Sequence, residues 1–157
     1  MAKRIGKYKV GGKDETLNYL ARHGVQRLTV DEAATISDKV NYVDCAVDAA
    51  SSRVITMPSA KVGKFIRVCW TVEQASSDRV FTAAGSDDFV GNIVTKVAGN
   101  AAGDGDNVSV TDGTVAITVV DDVNIGSYLD FHCMLDGQWF VTGQLEVDVV
   151  GSVPTIA

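Results

Sequence analysis

Apolar side chains recur at every second position in two stretches of this chain, the period of a β-strand. In Phe65–Glu73, Ile66, Val68, Trp70 and Val72 point one way, and Phe65, Arg67, Cys69 and Thr71 point the other. In Tyr128–Leu135, Leu129, Phe131, Cys133 and Leu135 form the predicted core side, with Tyr128, Asp130, His132 and Met134 opposite. Shorter strand-like runs lie at Val25–Val30, Val40–Val47, Val54–Met57, Arg79–Thr82, Phe89–Ala98, Asn107–Val110, Val115–Val120, Gln138–Thr142 and Leu145–Val150, separated by turn-forming residues. Asp136-Gly137 predicts a hairpin between Tyr128–Leu135 and Gln138–Thr142. Asp112-Gly113 predicts another between Asn107–Val110 and Val115–Val120. Both pairs suit the positive φ angles of a type I′ turn. The pattern predicts an all-β fold, a β-sandwich or jelly-roll-like domain.

Residues 1–27 break the alternation. Asp14 stands where an N-cap would, Glu15 suits a first helical turn, and Leu17, Leu20 and Ala21 share one helical face before Gly24 ends it. The spacing predicts a short helix over 15–23, too short to be stable unless docked. The expected organisation is a basic N-terminal arm over 1–27, carrying that helix, and an all-β domain over 28–157. Ala98–Asp106 reads as an exposed, flexible loop. No fixed-period repeat is visible.

Composition supports the strand reading. The 157 residues include 25 Val, 8 Ile and 12 Thr against 6 Leu. β-Branched side chains lose rotamer freedom in helices and pack well on pleated surfaces, so a helix bundle is excluded. A chain of this length buries a core without disulfide or metal staples. The net charge of −6 is an average of two unlike parts. Residues 1–27 hold 7 Lys/Arg and 2 Asp/Glu, giving +5, and residues 28–157 hold 7 and 18, giving −11. No run approaches the roughly 18 apolar residues that span a bilayer, and the basic start lacks the apolar core of a secretion signal. No membrane partner is therefore expected. Cys45, Cys69 and Cys133 are far apart and form no CxxC, which predicts buried, reduced thiols.

Candidate chemistry is sparse. Asp104, Asp106 and Asn107 resemble the opening of a calcium loop, but Ser109 and Val115 stand where its Gly and bidentate Glu belong. Asp87-Asp88 and Asp121-Asp122 read as solvated turns. His23 and His132 share no context that suggests a metal or an acid–base pair. Ser86 is not in a nucleophile elbow, and no phosphate-binding glycine loop is present. Trp70 and Trp139 lie within strands and read as packing residues rather than sugar platforms. Some trimeric nucleotide hydrolases are all-β at about this length, yet their acid–base and phosphate motifs are missing. No enzyme activity, cofactor or metal is expected. The basic arm is the remaining signal. A −11 body repels a polyanion, so the arm fits an acidic protein surface, or the acidic bodies of neighbouring copies, better than nucleic acid. Its candidate contact residues are Lys3, Arg4, Lys7, Lys9, Lys13, Leu17 and Leu20.

A longer pattern runs from about Val54 to Thr142. It opens with a strand ending in proline (Val54-Ile55-Thr56-Met57-Pro58-Ser59-Ala60), followed by Val62-Gly63-Lys64-Phe65-Ile66-Arg67-Val68 and Asp87-Asp88-Phe89-Val90-Gly91. After a Gly- and Asp-rich loop it closes on Ile125-Gly126-Ser127-Tyr128-Leu129-Asp130-Phe131 and Leu135-Asp136-Gly137-Gln138-Trp139-Phe140-Val141-Thr142-Gly143. This pattern resembles capsid decoration (cement) proteins of tailed bacteriophages, particularly marine ones. The resemblance implies a virion structural protein on the outer capsid surface, synthesised in the host cytoplasm. It implies a homotrimer whose partners are the major capsid protein and itself. Related modules occur in phage tail and neck fibres. The alternative implication is therefore a receptor-binding module with Trp70, Tyr128 or the Ala98–Asp106 loop at a carbohydrate site.

Overall fold

The computed structural model describes residues 24–28, 33–48, 50–98, 105–148 and 154–157. The predicted helix at 15–23 lies outside the described residues, as do residues 99–104 of the predicted loop. The described residues form strands and no helix: β1 (Gly24–Leu28), β2 (Ala34–Thr35), β3 (Val40–Cys45), β4 (Arg53–Thr56), β5 (Phe65–Trp70), β6 (Arg79–Thr82), β7 (Asp88–Val97), β8 (Asn107–Thr114), β9 (Ala116–Val119), β10 (Tyr128–Leu135), β11 (Gln138–Val147) and β12 (Thr155–Ile156).

These strands make a β-sandwich, as the alternation predicts. A seven-stranded sheet has the order β1-β3-β5-β10-β11-β7-β8, and a five-stranded sheet has the order β12-β9-β6-β4-β2. From β1 to β6 the chain changes sheet at every strand. As a result β1, β3 and β5 lie side by side and parallel in one sheet, and β2, β4 and β6 do the same in the other. The hairpin β10–β11 then fills the space between β5 and β7, with β11 parallel to β7. The early strands thus wind as a coil of unequal turns. Val25 stands opposite Tyr42, and Tyr42 opposite Arg67, at different separations along the chain. That inequality is why no fixed period shows in the sequence.

The core lies between the sheets. Ile66, Val68 and Trp70 of β5 and Leu129, Phe131 and Cys133 of β10 are buried, on the faces that the alternation predicts. Phe131 sits at the centre of the aromatic packing, with ring centroids 5.7 Å from Phe81, 5.9 Å from Phe89 and 6.5 Å from Trp139. Offset and edge-on ring pairs of this kind add to the burial energy of their area. Both tryptophans are core residues, and each indole N–H finds an acceptor: Trp70 donates to Gln74 Oε1 at 2.8 Å, and Trp139 to the Pro58 carbonyl at 3.3 Å. Gln74, itself buried, donates onward to the carbonyls of Val119 and Val120. Arg79 is also buried and donates through Nη2 to the Val47 carbonyl.

Four local expectations are corrected. Asp112-Gly113 does not form a hairpin, because β8 pairs with β7 in one sheet and β9 with β6 in the other. The pair lies instead in a bulge, where Phe89 faces Thr114 but Gly91 faces Val110. The Asp136-Gly137 hairpin exists, but only Gly137 takes a positive φ, 86°, so the turn is not type I′. Leu135 is 63% exposed rather than core, because a bulge between His132 and Leu135 reverses the parity of the strand end. Finally, the two runs expected at 138–142 and 145–150 are one strand, β11. Gly143 does not break it. A Cβ there would stand 2.4 Å from the Tyr128 carbonyl oxygen, so glycine permits close strand approach in mid-sheet.

Candidate interaction face

The predicted contact residues Lys3, Arg4, Lys7, Lys9, Lys13, Leu17 and Leu20 lie outside the described residues. Where their segment joins the sandwich is defined. Gly24 stands opposite Val40 at the start of β1 and β3, on one edge of the seven-stranded sheet. Loops 57–64, 83–87 and 136–137 lie at that same end, because β5, β7 and β11 run parallel to β3 in one sheet.

Most of the segments in the Val54–Thr142 pattern meet at this end. The Asp87 carboxylate accepts from the Ala60 N–H at 2.7 Å, and the Asp136 carboxylate from the Val62 N–H at 2.8 Å. The Gly137 N–H donates to the Ala60 carbonyl, and the Asp88 N–H to the Gly137 carbonyl. Asp88 also accepts from the Gly113 N–H, and Asp112 from the Gln138 amide. Asp87 and Asp88 are therefore loop clamps rather than merely solvated turns. A carboxylate that takes a backbone N–H makes a charge-assisted bond, and several such bonds hold the loops in register. Lys39, Lys61 and Lys64 are interleaved with these acids. Lys64 pairs with Asp38 and holds that carboxyl below the usual carboxylate range by hydrogen bonding and charge.

The far end is also acidic. Asp48, Glu73, Asp78, Asp121, Asp122 and Asp148 gather in its loops, with Arg53 and the buried Arg79. Asp48 accepts from the N–H groups of Ala75 and Ser76 and from the Ser76 hydroxyl, which ties two of these loops together. Among the described residues, no group of three His, Cys, Asp or Glu side chains has an arrangement that could hold a metal ion. No helix among them is long and apolar enough to cross a membrane.

Between the two ends, the outer face of the seven-stranded sheet carries three rows of side chains set by strand register. Phe65, His132, Phe140 and Val90 form one row across β5, β10, β11 and β7. Tyr42, Arg67, Asp130, Thr142, Asn92 and Ser109 form the next, from β3 to β8. Asp44, Cys69, Tyr128, Gln144, Val94 and Asn107 form the third. The first row is aromatic: Phe65 lies 4.8 Å from the His132 ring and 6.4 Å, edge to face, from Tyr42. Tyr42 and Phe140 remain 44% and 39% exposed. In the second row Arg67 grips Asp130 with two hydrogen bonds of 2.6 Å, and its guanidinium lies 4.8 Å over the Tyr128 ring. The bonds to Asp130 hold Arg67 more firmly protonated than a free arginine.

Sequence reasoning missed this face as a unit. The signal was present, since Phe65, Tyr128 and His132 all fall on the side opposite the core. What was absent is the register that lines them up with Tyr42 and Phe140. The thiol expectation needs one correction. Cys45 and Cys133 are buried, but Cys69 lies on this outer face and is half-buried. Burial pushes the Cys45 thiol up to about 12 and raises Cys133 and Cys69 as well.

A shallow hollow of ≈ 290 Å³ lies elsewhere, between the β8 bulge and the C-terminal strand, lined by Thr111, Asp112, Gly113, Thr114, Ile156 and Ala157. Its carboxylate, Asp112, is bonded to Gln138. Comparison with known protein families, curated proteins and solved structures finds no match.

Proposed function

We propose that this chain is a virion structural protein, a capsid decoration or cement protein that binds the outer surface of a major capsid protein shell as a homotrimer. The observation that carries the reading is the charge split along the sequence. Residues 1–27 hold 7 Lys/Arg against 2 Asp/Glu, and residues 28–157 hold 7 against 18. A basic N-terminal segment on an acidic body suits attachment through that segment to an acidic protein surface, with the body in solvent. The phage-like sequence segments also converge on the arm-bearing end, where they shape a single clamped set of loops. Three arms on one trimer would raise the effective concentration of each attachment without tight single contacts. The reading assigns the chain no catalytic role, no cofactor and no nucleic-acid or membrane partner. It places the chain on the virion surface.

The carbohydrate alternative loses one of its candidate residues, because Trp70 is 1% exposed and is not available for stacking on a sugar ring. The test is deletion of residues 2–24, with binding measured to purified shells that lack the protein. The expected result is a folded, oligomeric body that no longer attaches. Attachment at the wild-type level would overturn the role of the arm, and failure of the intact chain to bind any shell would overturn the reading itself.

A further inference from the structure

We infer that the outer face of the seven-stranded sheet, centred on Tyr42, Phe65, His132 and Phe140, is the surface through which copies of this chain associate. The inference deepens the oligomeric part of the decoration reading and rests on it.

Three observations select a second copy as the occupant. The first is charge. Association of an acidic chain with itself brings like charges together, which costs free energy wherever acids meet. On this sandwich the acids lie mainly in the loops at the two ends, and the aromatic row carries no carboxylate, lysine or arginine. In the next row the charges of Arg67 and Asp130 cancel, and the third row adds one carboxylate, Asp44, which accepts from the Thr71 hydroxyl. Two copies can cover this face without acidic end meeting acidic end.

The second is area. The six strands β3-β5-β10-β11-β7-β8, at about 4.8 Å spacing, and three rows about 6.7 Å apart span roughly 24 by 13 Å between their outermost backbone positions. With side-chain relief and rim, a face of this span matches the smaller class of specific interfaces, below about 1,200 Å² in total. The third is shape. The rings are edge to face or tilted, at 83° between Tyr42 and Phe65 and 46° between Phe65 and His132. They make an irregular relief that interlocks with protein side chains, not the coplanar platform that stacks on sugar rings. Exposed aromatics beside a pre-positioned arginine also have the composition of an interface centre. In a trimer, each copy turns this face toward the threefold axis and covers part of its neighbours' aromatic rows.

The test measures mass in free solution by light scattering, for the full chain and for Tyr42→Glu/Phe140→Glu. Both side chains point outward, so the fold is expected to survive, checked by circular dichroism. Phe140→Lys alone is the milder second variant. Val54→Glu, on the outer face of the five-stranded sheet, is the control. The expected result is about three times the 16.6 kDa chain mass for wild type and for the control, and the monomer mass for the face variants. A wild-type dimer that the same variants dissociate supports the face and overturns the trimer. A monomeric wild type, or face variants that keep the wild-type mass, overturns the inference. So does a monomer whose binding on a glycan array is lost in the same variants, which would assign the face to carbohydrate. None of these readouts involves capsids, so failure here is distinct from failure of the decoration reading.

Discussion

Arg67 on β5 and Asp130 on β10 stand directly opposite one another and share two hydrogen bonds of 2.6 Å. Nε bonds one carboxylate oxygen and Nη2 the other, so the pair also locks the register of the two strands. Its environment is asymmetric: the Asp130 side chain is 11% exposed and that of Arg67 is 41% exposed. Removing the arginine therefore strands a carboxylate that is mostly out of water. The solvated guanidinium limits the loss, which places Arg67→Ala at about 1–2 kcal/mol rather than the larger cost of breaking a fully buried pair. In a double-mutant cycle followed by urea unfolding, Arg67→Ala/Asp130→Ala is expected to cost less than the sum of its parts. Strict additivity would show that the two groups do not stabilise one another.

Gly91 on β7 sets a steric limit. Its φ is +146°, and an added Cβ would lie 2.0 Å from the Val141 carbonyl oxygen and 2.8 Å from the Val141 nitrogen. Those atoms belong to the neighbouring strand and cannot move without breaking the β7–β11 ladder. Gly91→Ala is expected to cost about 3 kcal/mol or more. Gly126 provides the comparison, since its φ is +96° but nothing lies within 4 Å of the place an alanine methyl would take. Gly126→Ala bears only the left-handed backbone penalty of about 1–2 kcal/mol. Thermal or urea unfolding that ranks the two equally would remove the steric account.

The thiols give a pH dependence of known sign. Burial raises the folded-state pKa of Cys45 from 9.0 to about 12. Between those values the unfolded chain gives up a proton that the folded chain keeps. Stability is therefore full below pH 9 and falls as pH rises from 9 toward 12, by up to about 1.4 kcal/mol per pH unit from this group. Cys45→Ala should flatten that part of the profile while lowering stability at neutral pH through the lost packing. With a thiol reagent on native protein, Cys69 is expected to react first, since Cys45 and Cys133 are buried. An unchanged alkaline slope in Cys45→Ala, or labelling of Cys45 ahead of Cys69, would contradict this picture.

Strand positions and inward faces can be read from the sequence because period-2 alternation is a local property. Ile66, Val68 and Trp70, and likewise Leu129, Phe131 and Cys133, follow it into the core and are buried there. The departures share a cause. β2 and β12 have two residues each, too few to show an alternation. Leu135 leaves the core because one bulge reverses parity, and a glycine such as Gly143 that admits a neighbouring strand looks the same in sequence as one that ends a strand. The motif segments around Pro58, Asp87 and Gly137 are visible as a pattern, but their mutual hydrogen bonds are not.

The order of residues alone was sufficient for an all-β body, for which side of most strands faces the core, and for the charge split between +5 over residues 1–27 and −11 over the remainder. Those follow from side-chain chemistry and from a repeat two residues long. Which sheet each strand joins, the parallel pairing of β1 with β3 and of β3 with β5, and the row of Phe65, His132 and Phe140 belong to the folded molecule. A strand's alternation says that one face is buried but not against which partner. Partner and register are chosen by contacts between residues far apart in the chain, where packing of the whole core decides among local patterns that look alike.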